Sequence, residues 1–282
     1  MAFEPSYEVP EDRRAYTLEA GPVGCLMLHG FLGSPISSRP LAEYLAEQGI
    51  TVHCPLLPGH GELPNKLYKV SGRDWLAEAE EGLRAIREKC KQVFIMGHSM
   101  GTVLGAHLVS QNDDVLGMIM LAPAYQVPDK RLRLMGVVRH VMPWFHPLWM
   151  KRLHPLVYER LHDFDPTLDF DDPAVQARLP EMTKVPTGAI DEMRKMVESG
   201  QDLWPWMALP AVILQGKKDI AVDQAATQTL YEALPNEDKQ LLLFDEAGHE
   251  LMRPFEAAHE QVWLAVYEFV VAHSKRKNMG RG

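Results

Sequence analysis

Positive charge is in short supply in this chain. Its 282 residues carry 29 Lys and Arg against 38 Asp and Glu, a formal net charge of -9. Nucleic-acid backbones are held by basic surfaces, so a nucleic-acid partner is not expected. No run of about 18 apolar residues occurs, so no segment is expected to cross a bilayer as a helix. The stretch from Met1 to Arg14 has no apolar centre, mixing Glu4, Glu8, Glu11 and Asp12 with two prolines. No secretory signal is read there, and a cytoplasmic protein is expected. Cysteine is scarce as well: Cys25, Cys54 and Cys90 lie in or beside apolar runs. An odd number at such positions predicts buried reduced thiols, not a disulfide or metal framework.

What the chain has is the alternation of an α/β protein. Val23 to Leu28 and Ile50 to Cys54 are short apolar runs, as are Gln92 to Met96 and Val115 to Leu121. Such runs suit strands covered on both faces. Between them, Pro40 to Gln48 and Arg73 to Lys89 carry apolar residues at helical spacing, and Gly49 stops the first. Tyr16 to Leu18 adds a short strand. The rhythm stops from Tyr125 to Trp206, where proline cuts helical pieces and no strand pattern appears. It resumes with strand Ala211 to Gln215, helix Gln224 to Ala233, strand Lys239 to Phe244 and helix Phe255 to His273. The expectation is a doubly wound, mostly parallel sheet. Residues 1–124 and 207–274 would form the core, 125–206 an inserted helical cap, and 275–282 a basic unstructured tail.

The chemistry centres on Gly97-His98-Ser99-Met100-Gly101. A strand before it and a helix after it make G-x-S-x-G a nucleophile elbow, with Ser99 lifted above the sheet. Glycine at 97 and 101 lets the backbone double back, and the Met100 N–H at the helix start faces a developing oxyanion. A serine needs a base and an orienting carboxylate, which follow in the chain order Ser, acid, His. Asp219 directly follows the strand Ala211 to Gln215, with Asp223 as its rival. His249 stands in the loop beyond Phe244. Both positions are where an α/β sheet presents its site. His259 and His273 fall in the last helix and are assigned packing or surface roles. Phe31, after His29-Gly30, is the candidate for the second oxyanion N–H. His29 is read as a loop brace and His98 as a packing residue. No metal or cofactor is called for: the acidic run Asp163, Asp165, Asp169, Asp171 and Asp172 lacks the glycine and closing glutamate of a calcium loop.

With these residues in place, the chain resembles the α/β-hydrolase superfamily, and within it the bacterial carboxylesterase and monoacylglycerol lipase group. Leu28-His29-Gly30-Phe31, Ser38-Arg39-Pro40-Leu41-Ala42-Glu43, Gly59-His60-Gly61, Asp74-Trp75 and Ser99-Met100-Gly101 carry the resemblance, with Gly21-Pro22-Val23-Gly24 before them. It implies Ser99 as nucleophile, Asp219 as acid, His249 as base, and the N–H groups of Phe31 and Met100 as oxyanion donors. Thr102 departs from the pattern, standing where many relatives have a third glycine.

The insertion holds four of the six tryptophans, Trp144, Trp149, Trp204 and Trp206. From Asp129 to Arg160 it carries seven basic residues against two acidic ones, interleaved with apolar side chains. A lid lining an acyl pocket is expected, with membrane-interface contact as a secondary expectation. The function implied is hydrolysis of carboxylic esters with a hydrophobic acyl chain, from a small-molecule or lipid-like substrate such as a monoacylglycerol. Amide, thioester or carbon–carbon bond hydrolysis on the same triad is the alternative, and a ligand-binding receptor a more distant one.

Overall fold

In the computed structural model, which describes residues 5–127, 130–165 and 167–279, a seven-stranded sheet organises the chain. The strands are β1 (Tyr16–Leu18), β2 (Val23–Leu28), β3 (Ile50–Cys54), β4 (Gln92–His98) and β5 (Met118–Leu121). A separate ribbon of β6 (Trp144–Phe145) and β7 (Val185–Pro186) follows, and β8 (Ala211–Gly216) and β9 (Lys239–Phe244) complete the sheet. The sheet order is β1-β3-β2-β4-β5-β8-β9, parallel throughout except for β1 against β3.

Alternation inside the strands builds two cores. Leu26 and Leu28 of β2, Val93 and Ile95 of β4, and Ala211 and Ile213 of β8 face one side. They meet α2 (Gly72–Lys89), α3 (Met100–Val109) and Leu230 of α8 (Gln224–Ala233). Cys25 and Met27, Phe94 and Met96, and Val212 and Leu214 face the other side. There they meet α1 (Arg39–Glu47) and α9 (His259–Met279). Side chains alternate across a strand, so a run apolar at every position needs helices on both faces. The three cysteines are buried and free, as expected.

Local signals explain the helix ends. Ser71 and Asp74 form a capping box at the start of α2, and Trp75, Ala79, Leu83 and Ile86 mark its buried stripe. Gly49 ends α1 with φ of 83°, a conformation glycine adopts without penalty. The chain leaves β2 for β3 on one side and returns to β4 on the other. This reversal opens a crevice at the strands' C-terminal ends.

Three expectations need correction. The stretch from Tyr125 to Trp206 contains the β6–β7 ribbon, whose two-residue strands pair Trp144 with Pro186 and Phe145 with Val185. Strands that short carry no legible period. The last helix starts at His259, not Phe255, because residues 250–258 form turns in which a Glu256 carboxylate accepts the Gly248 N–H. That helix also ends at Met279 and not at His273. Residues 280–282 lie outside the described residues.

The insertion between β5 and β8 contains α4 (Met135–Val138), α5 (His154–Phe164), α6 (Pro173–Thr183) and α7 (Thr187–Gly200). Leu161, Leu179 and Met182 form a small core of its own. Its last part is different, since Ala189, Met196, Val197 and Trp204 belong to the main core beside α3. The acidic run is a turn-and-cap feature: the Asp172 side chain accepts the Ala174 N–H at the start of α6.

Candidate active site

Ser99 sits between β4 and α3 with φ of 52° and ψ of -119°, a conformation costing a side-chain-bearing residue about 1–3 kcal/mol. The surroundings enforce it. The Ser99 N–H donates to Leu121 O at 2.9 Å. Its carbonyl accepts from the N–H of Thr102 at 3.0 Å and of Ala124 at 3.3 Å. The Thr102 hydroxyl donates to the same carbonyl at 2.6 Å. The departure at 102 therefore adds a hydrogen bond to the elbow. Both glycines are required by space. A Cβ on Gly97 would lie 2.4 Å from the Gly101 backbone, and one on Gly101 only 2.0 Å from Leu28 O. Gly30 stands against the serine, its missing Cβ 3.2 Å from Ser99 Cβ.

His249 Nδ1 lies 2.9 Å from Asp219 Oδ2. The Asp219 side chain is almost fully buried, and its Oδ1 accepts the N–H groups of Ala221 and Val222 at 2.7 and 2.9 Å. Burial pushes the Asp219 pKa up, but His249 and these N–H donors outweigh it and hold the carboxyl below its ordinary value. Burial likewise pulls His249 down, and the Asp219 carboxylate overrides it, so the imidazole ends above 6.5. With its Nδ1–H on Asp219, neutral His249 presents a lone pair at Nε2, the atom that accepts a serine proton. The rival Asp223 caps α8 through the Ala225 N–H instead.

One residue in this network escaped the sequence reading. Gln215 is fully buried in β8. Its Nε2 donates to Asp219 Oδ2 at 3.0 Å, and its Oε1 accepts from the Thr227 hydroxyl at 2.9 Å. The available signal was an amide closing an otherwise apolar buried strand, where it must find partners.

The other histidines near the site are structural. His98 donates from Nε2 to His249 O at 3.0 Å, and burial pushes its pKa down to about 4. His29 bridges Gly30 O at 3.0 Å and the Leu57 N–H at 3.2 Å, with its pKa driven well down by burial. That is the loop brace expected of it. His259 and His273 bond backbone carbonyls at Glu256 and Phe269.

Met100 is the first residue of α3, where helix geometry leaves its N–H without an intrahelical partner. Phe31 follows the His29-Gly30 brace. Its ring packs edge-on against His60 at 6.2 Å and Trp75 at 5.9 Å. Trp75 Nε1 and His60 Nδ1 both donate to Pro58 O at 3.0 Å. Three motifs far apart in sequence thus converge into one brace beneath the loop that carries the Phe31 N–H.

A second carboxylate adjoins the base. Glu250 is buried and paired with Arg160 of α5. Burial raises its pKa, but Arg160, His98, His249 and Arg253 together bring it down to about 2. One donor atom from each of His98, His249 and Glu250 lies within 4.8 Å of the others. His98 donates to the His249 carbonyl, His249 Nδ1 is bonded to Asp219 and one Glu250 oxygen pairs with Arg160, so the grouping acts on the base electrostatically.

The chain is similar to known proteins over most of its length. The family described as serine aminopeptidase, S33 matches residues 24–256. A thermostable monoacylglycerol lipase of Bacillus sp. (strain H-257) is 26% identical over 246 residues, covering 86% of this chain and 89% of that protein. A carboxylesterase of Bacillus subtilis (strain 168) is 21% identical over 258 residues, covering 91% and 96%. Among solved structures, one from a pair of metagenome-derived lipolytic enzymes superposes with a TM-score of 0.77 at 23% identity. That match covers 94% of this chain and all of the other, and it shows the same fold.

Proposed function

Since the chain belongs to the serine aminopeptidase S33 family of α/β-hydrolases, we propose that it is a serine hydrolase of carboxylic esters with a hydrophobic acyl chain, such as a monoacylglycerol. The observation that carries the reading is the His249–Asp219 hydrogen bond at 2.9 Å, in a loop bonded through the His249 carbonyl to His98, the residue before the strained Ser99. Ser99 Oγ attacks the ester carbonyl while His249 Nε2 takes its proton, and Asp219 stabilises the imidazolium. The N–H groups of Met100 and Phe31 receive the tetrahedral oxyanion, each contributing about 3 kcal/mol. His249 then protonates the departing alcohol. Water, deprotonated by the same imidazole, hydrolyses the acyl-enzyme.

The similarity to a monoacylglycerol lipase and a carboxylesterase supports an ester over other leaving groups. The family's description favours a second reading, removal of an N-terminal residue from a peptide. An aminopeptidase must hold a free ammonium group. The two buried carboxylates beside the imidazole are already committed, Asp219 to His249 and Glu250 to Arg160, which favours the ester.

The lipid end of the substrate would reach the site beneath the insertion, acting as a cap over roughly residues 125–206. Val137, Val141 and Trp149 are exposed there at 72%, 83% and 70%, among Arg131, Arg133 and Arg139. Exposed apolar side chains on a stretch interleaved with basic residues suit a lipid interface, although Arg133 and Arg139 are paired with Glu198 and Asp191 of α7. No helix among the described residues is long and apolar enough to cross a membrane. Three buried free thiols suit a reducing cytoplasm.

The test is initial rates on p-nitrophenyl esters of increasing chain length, 1-monoacylglycerols and aminoacyl anilides, for wild type and Ser99→Ala. Ester turnover that vanishes in Ser99→Ala is expected. Anilide turnover without ester turnover would overturn the ester reading. A rate jump at an ester's solubility limit supports surface contact by the cap, and smooth saturation through that limit goes against it.

A further inference from the structure

Arg160 belongs to α5, an element of the insertion with no strand in the main sheet, yet its guanidinium reaches the loop that carries His249. It pairs there with Glu250, ninety positions away in sequence. It lies against Gly33 as well, where a Cβ would be in ordinary contact with Arg160 Nη1 at 3.5 Å. The guanidinium therefore touches the loop after β2 and the loop after β9 together, the two segments that bear the proposed oxyanion donor and base.

The pair is not an ordinary surface bridge. The Glu250 side chain is 3% exposed and that of Arg160 is 23% exposed. An exposed pair contributes little, whereas a buried carboxylate next to an imidazole acts on it strongly. One Glu250 oxygen has no hydrogen-bond partner, so its charge is balanced by Arg160 and the cations nearby more than by direct bonds.

We propose that Arg160 is a positioning residue that acts on His249 through Glu250, so that the insertion must be seated on the core for His249 to work as a base near neutrality. The inference rests on His249 being the base of the proposed hydrolase. Two carboxylates flank this imidazole, Asp219 from the loop after β8 and Glu250 from its own loop. Asp219 is needed to hold the ring. Glu250 adds a second negative charge, which on its own would favour the imidazolium and remove the lone pair at Nε2. Arg160 cancels that charge from the insertion side. The remaining groups around the cluster are His98 from the elbow, His29 and His60 from the loops after β2 and β3, and Arg253, which faces Glu250. Burial keeps the three histidines neutral. Arg13 and Glu62 line the small cleft that Arg160 shares with Gly33 and Ser34. When α5 lifts, Arg160 leaves and Glu250 stays. The base is then switched toward its protonated form until the insertion closes.

The sign is fixed by charge. Removing Arg160 takes away a cation and uncovers an anion, and both raise the pH needed to deprotonate His249. Removing the Glu250 charge does the opposite. The experiment measures the acid limb of kcat/KM on a soluble ester, and in parallel the His249 titration by NMR on histidine-labelled protein. It uses wild type, Arg160→Met, Arg160→Lys, Glu250→Gln and the Arg160→Met/Glu250→Gln double variant. Arg160→Met should move the limb up by about one pH unit, and Glu250→Gln should move it down. The double variant and Arg160→Lys should return close to wild type. On the acid slope the Arg160→Met shift lowers kcat/KM about tenfold. A purely structural ion pair would weaken folding in both single variants without opposite titration shifts. Unshifted limbs, or shifts of the same sign, overturn the proposal. If Arg160→Met does not fold, the downward shift in Glu250→Gln and the wild-type limb in Arg160→Lys decide. If no ester is turned over, the NMR titrations still decide the coupling, and only the hydrolase reading fails.

Discussion

Gly101→Ala is a substitution that helix propensity alone would rate as favourable and that the site geometry rates as severe. The added carbon would stand 2.0 Å from the Leu28 carbonyl oxygen and 2.9 Å from that of His29, where ordinary contact begins at 3.4 Å. Both obstacles are backbone, so no side chain can swing aside. The start of α3 and the end of β2 must part by about 1 Å, and they carry the Met100 N–H on one side and lead to Phe31 on the other. A misplacement of about 1 Å costs roughly 100-fold in rate, similar to losing one oxyanion donor. Overpacking costs about 1–3 kcal/mol, but alanine regains about 1 kcal/mol of helix propensity. The expected result is a kcat reduced about 100-fold together with a clear fall in thermal midpoint, since the overlap is with backbone. Gly105→Ala is the internal control on the same helix. Its added carbon meets the tip of Met118 at 2.8 Å and Ile95 Cγ2 at 3.0 Å, side-chain atoms and not backbone, so it should lower stability somewhat while kcat is little changed. The assay pairs ester kinetics with circular-dichroism melts. A Gly101→Ala variant with wild-type kcat would falsify the oxyanion geometry, as would equal loss in both variants.

Two further outcomes follow from buried polar groups. Gln215→Leu leaves the Thr227 hydroxyl and one approach to Asp219 Oδ2 without their amide partner. A hydrogen bond to a charged group is worth about 1.5–3 kcal/mol, so the urea midpoint should fall by the equivalent of about 2 kcal/mol, with a lower kcat. An unchanged midpoint would mean that the amide does not hold Asp219. His60 and His98 are pushed by burial to about 4, below the ordinary 6.5. A depressed histidine contributes stability that is complete above 6.5 and is lost as pH falls toward 4. Glu250, held at about 2, contributes above 4.5 and loses its share only as pH falls toward 2. Thermal midpoints should therefore decline between pH 6.5 and 4, and a flat profile across that window would contradict the neutral, buried imidazoles.

Much of the core was legible because its signals are local. Helix Gln224 to Ala233 and strand Lys239 to Phe244 were read with the bounds they have, since periodicity and turn residues lie within a few positions of each other. The elbow was legible because its motif is contiguous: a Cβ on Gly97 would meet the Gly101–Thr102 backbone four residues on, although the space that Gly101 leaves is filled by Leu28 and His29 at the end of the neighbouring strand. The β6–β7 ribbon was not, because two residues cannot show a period of two. Nor was the division of the insertion, whose final part, including Trp204, packs into the main core. An amphipathic helix shows that it has a buried face but not which neighbour covers it.

Legible in the chain alone were the candidate order Ser99, Asp219, His249, the strands that end just before them, and the glycines that let the chain turn. These follow from steric limits and side-chain periods that act over a handful of residues. Tertiary structure alone decided that Gln215 and Thr227 hold Asp219, that Phe31, His60 and Trp75 form one brace, and that Arg160 answers Glu250. A lone buried polar residue announces that it needs a partner. Which partner it finds depends on elements brought together from distant parts of the chain, and no local pattern records that meeting.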